Sequence, residues 1–328
     1  MSERNIQVEV IRKEFTPREY LLQDRFNLTL KFEALVPENS YIFSGAIPKQ
    51  LPEVKIFYNN IDKLKRRILS GEKLDLLAEI KRLLNEIDIS KRMFEKNKYF
   101  PKLLNSYFIP GSSIKGAARS RIEYKLKPTK LGNSLVSYSC YITESPFLDK
   151  LFARNHLMFW GEDTSYFRSS CKVPNVCIVC DLFGTQSLAS RVSFSDALLA
   201  SSTSASLEFL KDLSIEAIKP NSKFILRVDA INLNFIELGL LFLGFEIFSG
   251  SPILVGSFKY RYNPKVTKNL YRNRFSFGLL KFNLIGFDEF LSNKLSNMST
   301  KELIEKAKEE LLNSEMSKFV DYSKGVIS

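Results

Sequence analysis

The sequence contains little of the chemistry that acid–base catalysis requires. Its 328 residues include a single histidine, His156. A Ser-His-Asp arrangement would therefore have to use that one imidazole. The GxGxxG, Walker A and paired-carboxylate patterns are absent as well. These absences favour a binding or structural protein over an enzyme.

Long apolar runs are also absent. The most apolar stretch, Leu238–Phe248, contains Glu246 and is shorter than the roughly 20 residues of a membrane-spanning helix. We therefore predict a buried core segment and no membrane partner. The first fifteen residues lack the apolar region of a secretory signal, which predicts a cytoplasmic protein. In that compartment its four cysteines are expected to stay reduced.

Acidic residues are fewer than basic ones. Lysine and arginine total 48 against 36 aspartate and glutamate residues, a net charge of +12. Such an excess favours a polyanionic partner, because neutralising phosphates releases their counterions. Nucleic acid is the commonest partner of this kind. Solubility is the competing explanation, since many soluble proteins are basic.

Hydrophobic periodicity predicts an α+β fold. Apolar and polar residues alternate over Leu28–Ala34 and Phe224–Val228, which indicates two half-buried strands. Helical spacing covers residues 60–96, the stretch around 236–248 forms an apolar helix, and a capping box at Ser299 begins a C-terminal helix. Two passages of strand followed by helix fit a ferredoxin-like (RRM-like) core with insertions.

We predict one elaborated domain over residues 1–328. Its parts are a core built from residues 25–58, 100–130 and 185–285, a helical insertion at 59–97, a loop-rich region at 135–184 and a C-terminal helix at 299–319. The loop-rich region contains every cysteine and the histidine. Any metal site is therefore expected there.

The segment PGSSIKG predicts a turn that opens a helix. Gly111 can adopt backbone conformations closed to other residues, and Ser112 or Ser113 can cap the helix. Exposed N–H groups there would bind an anion. Lys115 and Arg119, one turn apart, would add positive charge on one face. The alternative is an ordinary capped helix with a basic surface.

Three cysteines have the spacing of a metal site. Cys171, Cys177 and Cys180 form a C-x5-C-x2-C run, and the thiolates of a C-x2-C turn reach one ion without strain. The fourth ligand must be His156 or Cys140. We favour His156, which lies upstream in the same loop-rich stretch, and predict a closed structural zinc site. Unrelated buried cysteines are the alternative.

The segment 257–281 combines cations with aromatic rings and contains no acidic residue. Its cations include Lys259, Arg261, Arg272 and Arg274, interleaved with phenylalanine and tyrosine. Single-stranded nucleic acid is bound by such a combination, because cations follow the backbone while rings stack on bases. A strand pair with a cationic outer face and a ring-lined inner face is the alternative.

Two blocks of sequence resemble the RAMP superfamily. YFIPGSSIKGAARSRIEY is similar to the "IPGSSIKGALRS"-like segment that opens the first core helix in that family. CIVCDLFGTQSLASRVSFSDA, over Cys177–Ala197, resembles the "LFG…RV…SDA" stretch of type III CRISPR backbone subunits. The resemblance implies a ferredoxin-like core and subunits stacked along a guide RNA. In some relatives it also implies zinc bound by three cysteines and one histidine.

The resemblance also assigns roles to matching residues. RNA contacts fall on Gly111, Ser112, Ser113, Lys115 and Arg119. We therefore predict a guide-RNA-binding structural subunit of a type III CRISPR interference complex that contributes to antiviral target-RNA recognition. Its expected partners are guide RNA, target RNA and the other subunits of the complex.

The sequence departs from the family in the loop after the first strand. Cleaving backbone subunits use an aspartate there, whereas residues 37–52 contain only Glu38, with Glu53 nearby. This departure argues against target cleavage by the subunit. An endoribonuclease that cuts target RNA or processes precursor guide RNA is the alternative function. A third possibility is a zinc-stabilised interaction subunit that does not bind RNA.

Overall fold

The chain is seen in a computed structural model, which describes residues 7–38, 40–43, 62–67, 69–70, 75, 78–79, 81–82, 85, 97–98, 100–103, 106–140, 167–201, 204–208, 214–256, 276–323 and 325. The strands in these ranges are β1 Gln7–Val10, β2 Lys13–Glu14, β3 Phe26–Leu35, β4 Ser40–Tyr41, β5 Asn97–Lys98, β6 Lys102–Leu103, β7 Ser106–Ile109, β8 Thr129–Leu131, β9 Ser134–Ser137, β10 Phe167–Arg168, β11 Asn175–Val176, β12 Val192–Phe194, β13 Ala197–Ser201, β14 Ser204–Glu208, β15 Ser214–Ile218, β16 Lys223–Leu233, β17 Ile253–Leu254, β18 Ser276–Phe277 and β19 Leu279–Phe290. The helices are α1 Gly111–Lys125, α2 Ile178–Phe183, α3 Phe235–Gly244, α4 Thr300–Asn313 and a 3-10 helix at Glu315–Phe319.

The main sheet is antiparallel, and its strands run in the order β17-β19-β3-β16-β13-β7-β6, with β12 also paired to β16. The two long central strands alternate in burial, so that Phe32 lies opposite Leu226 and Leu30 opposite Val228 on the buried face. This alternation confirms both strands predicted from the sequence. Smaller sheets complete a mixed α+β fold.

Helices α1 and α3 cover the buried face of the main sheet, and α4 packs against α3. Close approach of these helices requires glycine. A Cβ at Gly239 would lie 2.6 Å from the carbonyl oxygen of Ala307, and one at Gly244 would lie 3.0 Å from that of Ala118. Just beyond α3, Phe245 stacks on Phe32 with ring centroids 4.7 Å apart. The helix layer is thereby fixed to the centre of the sheet.

Two of the predicted helices, the apolar one near residue 240 and the one after Ser299, occur with changes in their ends. The apolar stretch around 236–248 forms α3, whose central leucines are fully buried, and its capping box joins Asn234 and Glu237. Ser299 and Glu302 form the predicted capping box of α4. Helical residues also occur at 62–67, 69, 78–79, 81–82 and 85, inside the predicted insertion. No helix in the described part of the chain has the length and apolarity that a membrane crossing needs.

A buried ionic network joins the core helices to the cysteine-bearing region. Arg191 has a side chain with no solvent exposure and donates to Asp181 at 2.9 Å and to Glu237 at 2.8 Å. Arg18 binds the same aspartate, and Arg25 binds the same glutamate. Each buried carboxylate therefore has two guanidinium partners, which compensate for the loss of hydration.

We expect this network to contribute to acid unfolding. Burial is the largest influence and raises the pKa of Asp181 and of Glu237, but the charge of Arg191 and the hydrogen bonds that each carboxylate accepts together outweigh it, so both pKa values lie below their ordinary range. Carboxylates with a lowered folded-state pKa stabilise the protein above their unfolded pKa, about 4. That stability is lost as pH falls through the folded pKa. The free energy of unfolding in urea should decline below about pH 5. Glu237→Gln should flatten that decline, and an unchanged slope would exclude this contribution.

Candidate metal centre

Four cysteines from separate parts of the chain meet in the interior. Cys140 follows β9, Cys171 lies between β10 and β11, and Cys177 and Cys180 begin α2. All four are buried as free thiols. Their sulfur atoms lie within 4.8 Å of one another. The fold thus brings a ligand from the end of one sheet to a three-cysteine loop.

The spacing of the sulfur atoms fits a tetrahedral metal. The Sγ of Cys140 lies 3.4 Å from that of Cys180 and 3.7 Å from that of Cys177. In a tetrahedron with metal–sulfur bonds of about 2.3 Å, the sulfur atoms are about 3.8 Å apart. Four thiolates are also the soft donor set that thiophilic divalent metals prefer. These cysteines could therefore hold one metal ion.

Backbone N–H groups donate three hydrogen bonds to two of the sulfur atoms in this four-cysteine cluster. The Cys177 amide donates to the Cys171 sulfur at 3.2 Å, and the Cys180 amide donates to the Cys177 sulfur at 3.4 Å. The Cys140 amide donates to the same Cys177 sulfur at 3.5 Å. Hydrogen bonds of this kind favour the thiolate form and fix the direction of its lone pairs. Cys177 is in addition the N-cap residue of α2.

The thiols perturb one another strongly. Hydrogen bonding to Cys140 holds the pKa of Cys171 well below its ordinary value. Hydrogen bonding to Cys171, Cys177 and Cys180, together with burial, raises the pKa of Cys140. Hydrogen bonding from Cys140 also lowers the pKa of Cys180. These opposed shifts follow from the close approach of the four sulfur atoms, which a shared metal ion would also require.

Arg119 lies beside this cluster and not at the surface. It is 7% exposed, and its Nη2 donates to the Cys180 sulfur at 3.2 Å. Its Nε donates to Glu123 at 2.8 Å, and its Nη1 donates to the Gly184 carbonyl. Burial alone lowers the pKa of Arg119, but Glu123 and then the cysteines raise it. The guanidinium therefore stays charged and is directed into the interior, away from the surface where a phosphate would approach.

The start of α1 differs from the predicted turn. Pro110 is the N-cap and makes no side-chain cap, so Ser112 and Ser113 lie inside the first turn. Asp196 accepts a hydrogen bond from the Gly111 N–H at 2.9 Å. This N–H is one of the groups predicted to bind an anion, and Asp196 already occupies it. Glycine is needed at 111 because a Cβ would lie 2.4 Å from the Phe194 carbonyl oxygen. The reason is this steric contact and not the special backbone conformation predicted from the sequence. The serines were wrongly predicted as caps because the residue that caps Gly111 lies 85 positions away.

Lys115 is the cation of α1 that remains near the surface. It is half-buried, and within the described ranges it has no ion-pair partner. Burial and the nearby charge of Arg119 lower its pKa. Ser112 and Gly116, on either side of it in sequence, are exposed. A half-buried ammonium without a carboxylate is a favourable position for an external anion.

Three cations on the more exposed face of the main sheet are paired, whereas Lys281, which lies opposite Leu35 on the same face, has no ion-pair partner among the described residues. The ion pairs are Lys31–Asp288 at 2.6 Å, Lys223–Glu33 at 3.0 Å and Arg227–Asp229 at 2.9 Å. Between them lie exposed aliphatic side chains of Leu198 and Ile225. The part of this face that the three ion pairs cover is therefore close to neutral, and it offers little attraction to a phosphate chain.

Several predicted residues lie outside the described part of the chain. These are His156 and the four cations of the segment 257–281, namely Lys259, Arg261, Arg272 and Arg274. Among the described residues, Cys140 is the fourth potential ligand that lies beside Cys171, Cys177 and Cys180; it is the sequence-based alternative to His156. Sequence reasoning missed Asp181, Arg191 and Glu237, since nothing in their spacing distinguishes a buried ion pair from a surface one.

The sequence matches the family model of the RAMP superfamily over residues 67–313. A comparison with curated proteins found no match. The matched range contains α1 with its Lys115 turn, all four cysteines and the two strands β13 and β16. Since the match spans well over half of the chain, the protein belongs to the RAMP superfamily.

Proposed function

We propose that the chain is a guide-RNA-binding structural subunit of a type III CRISPR interference complex, contributing to antiviral target-RNA recognition. Membership of the RAMP superfamily supports a CRISPR-associated role in RNA binding or processing. The observation that carries the choice of binding is Lys115, a half-buried cation without an ion-pair partner among the described residues. Its segment is the one that resembles the family's RNA-contacting turn.

A ferredoxin-like core is part of this proposal. In the sheet, β19 lies beside β3, then β16 and β13, while α1 and α3 share one face. The chain order β3, α1, β13, β16, α3 and β19 supports the proposal of a split βαβ fold. We interpret the helical residues between 62 and 85 as an insertion into one domain.

The metal is proposed to be zinc in a structural role. Four thiolates would complete its coordination, which leaves no open position for water or substrate. Zinc there would hold the region after β9, the loop around Cys171 and the start of α2 together. Because binding requires all four ligands to be assembled, its free energy would stabilise the folded state.

The RNA is proposed to pass the start of α1 and not the sheet face. Each of the three ion pairs on that face would have to be broken before its cation could bind phosphate. Lys115 requires no such exchange among the described residues. The cations Lys259, Arg261, Arg272 and Arg274 remain predicted RNA contacts. Guide RNA, target RNA and the other subunits of the complex are the proposed partners, in the cytoplasm.

Cleavage by this subunit is not part of the proposal. Glu38, in the loop after β3, is exposed and stands where cleaving relatives are expected to have aspartate. The endoribonuclease alternative would require that glutamate, Glu53 or His156 to act as the base. Incubating the purified complex with target RNA and Mg²⁺ distinguishes the two functions, since an RNA-binding scaffold leaves the target intact.

Replacing Lys115 with alanine should weaken RNA binding. The variant loses one phosphate contact, so its affinity for single-stranded RNA should fall about tenfold at low salt, and the dependence of log K on log salt should flatten by about 0.7. Fluorescence anisotropy with a labelled RNA at several salt concentrations measures both quantities. Lys301→Ala is the matched control, because Lys301 is exposed on α4 and pairs with Glu305. Equal affinities of the two variants would remove Lys115 from the interface.

A further inference from the structure

Arg119 connects the two features on which the proposed function depends. It lies one helical turn after Lys115 on α1, so the two positions share a helix face. Its guanidinium reaches across to α2 and donates to the Cys180 sulfur at 3.2 Å. It also donates to the carbonyl of Gly184, the C-cap of α2. One side chain thus attaches the helix that carries Lys115 to both ends of the helix that carries Cys180.

The strength of this attachment depends on the state of the sulfur. A thiol sulfur is a weak hydrogen-bond acceptor, whereas a metal-bound thiolate carries negative charge. Four thiolates around a divalent ion leave a net charge of −2, which a buried guanidinium partly neutralises. A bond between ionised partners is roughly twice as strong as a neutral one. Metal in the cluster should therefore tighten the link between α1 and α2.

We propose that Arg119 is a positioning residue that couples metal occupancy of the four-cysteine cluster to RNA affinity at the start of α1. This inference rests on the proposed function, because it concerns the same RNA site. With metal bound, Arg119 holds α1 in register with α2 and keeps Lys115 in place. Without metal the Cys180 bond weakens, so Arg119 holds the start of α1 less firmly against α2.

The first test uses the full chain loaded with Co²⁺, whose thiolate charge-transfer bands report on the charge around the sulfurs. Arg119→Met should shift those bands and lower metal affinity about 10–100-fold in competition with a chelator. Arg121→Met is the matched control. Arg121 is equally buried on α1, but it pairs with Glu246 and not with a cysteine. Arg121→Met should leave the Co²⁺ spectrum unchanged. If Arg119→Met fails to fold, Arg119→Lys replaces it and should give an intermediate shift of the Co²⁺ bands.

The second test combines the variant with metal removal. Stripping metal from the unmodified protein should lower its affinity for a labelled oligouridylate of about 16 nucleotides roughly tenfold. In Arg119→Met the affinity should already be low, and stripping should change it little. Equal losses of RNA affinity on metal removal in the two proteins would overturn the coupling. A Co²⁺ spectrum that Arg119→Met leaves unchanged would overturn it as well.

The two proposals fail in different ways. If the metal-loaded protein does not bind RNA at all, the proposed function is wrong and the coupling falls with it. If it binds RNA through Lys115 but stripping and Arg119→Met act additively, the proposed function stands and the coupling is wrong. Non-additive losses together with a shifted Co²⁺ spectrum support both.

Discussion

Cys140→Ser is expected to remove most of the zinc that we propose the four-cysteine cluster binds in the purified protein. The Cys140 sulfur lies 3.4 Å from that of Cys180, so the variant would leave three thiolates around one ion. A serine hydroxyl stays protonated near neutral pH and is a poor zinc ligand. Elemental analysis should show about one zinc per chain before the change and little after it. Thermal unfolding should move to lower temperature, because the metal's binding free energy contributes to folding.

His156→Ala is the control that decides the ligand set. A site made of the four cysteines predicts that this variant keeps its zinc and its unfolding temperature. The three-cysteine, one-histidine site expected from the sequence predicts the reverse pair of results. Zinc lost in His156→Ala and retained in Cys140→Ser would therefore refute the four-cysteine assignment.

Arg191→Met should destabilise the fold by about 3–5 kcal/mol. The substitution removes a fully buried cation that binds Asp181 and Glu237, both of which would stay in the interior with one guanidinium partner fewer. An uncompensated buried charge is costly, whereas an apolar replacement of the whole group is tolerated. Urea unfolding monitored by fluorescence measures the loss.

A matched surface pair separates this effect from charge removal in general. Arg227 and Asp229 are 61% and 34% exposed, so Arg227→Met should change stability by less than about 1 kcal/mol. The combined variant Asp181→Asn, Arg191→Met, Glu237→Gln should recover part of the loss, since it removes both buried carboxylates together with Arg191 and leaves only Arg18 and Arg25, which reach solvent in part. If Arg191→Met unfolds at the same urea concentration as Arg227→Met, the network is not a major source of stability.

The parts of the fold that local pattern specifies were predictable. Alternation in β3 and β16 follows from which side chains can face the core, and the Ser299 capping box involves residues three apart. The C-x2-C step likewise indicates metal binding from residues only three positions apart. In each case the partner that decides the structure is close in the sequence or belongs to a repeating pattern.

The parts that depend on distant partners were not predictable. Arg119 and Lys115 have the spacing of one cationic face, yet the Arg119 side chain points inward and donates to Cys180. That partner lies 61 residues away in the sequence, so local spacing does not reveal it. Asp196, 85 residues from Gly111, replaces the predicted serine cap. Cys140 could not be preferred over His156 because both lie outside the three-cysteine run. Tertiary proximity, and not residue type, decided each of these outcomes.

The central position of β3 has a consequence for synthesis of the protein. Both its neighbours, β16 and β19, come from the second half of the chain, and Thr29 binds Asp229 across 200 residues. During synthesis, both edges of β3 therefore lack these two partner strands until most of the chain has left the ribosome. Contacts of such long range also slow folding. Nascent chains of this protein should accordingly depend on chaperones, or on early assembly with a partner, to avoid aggregation.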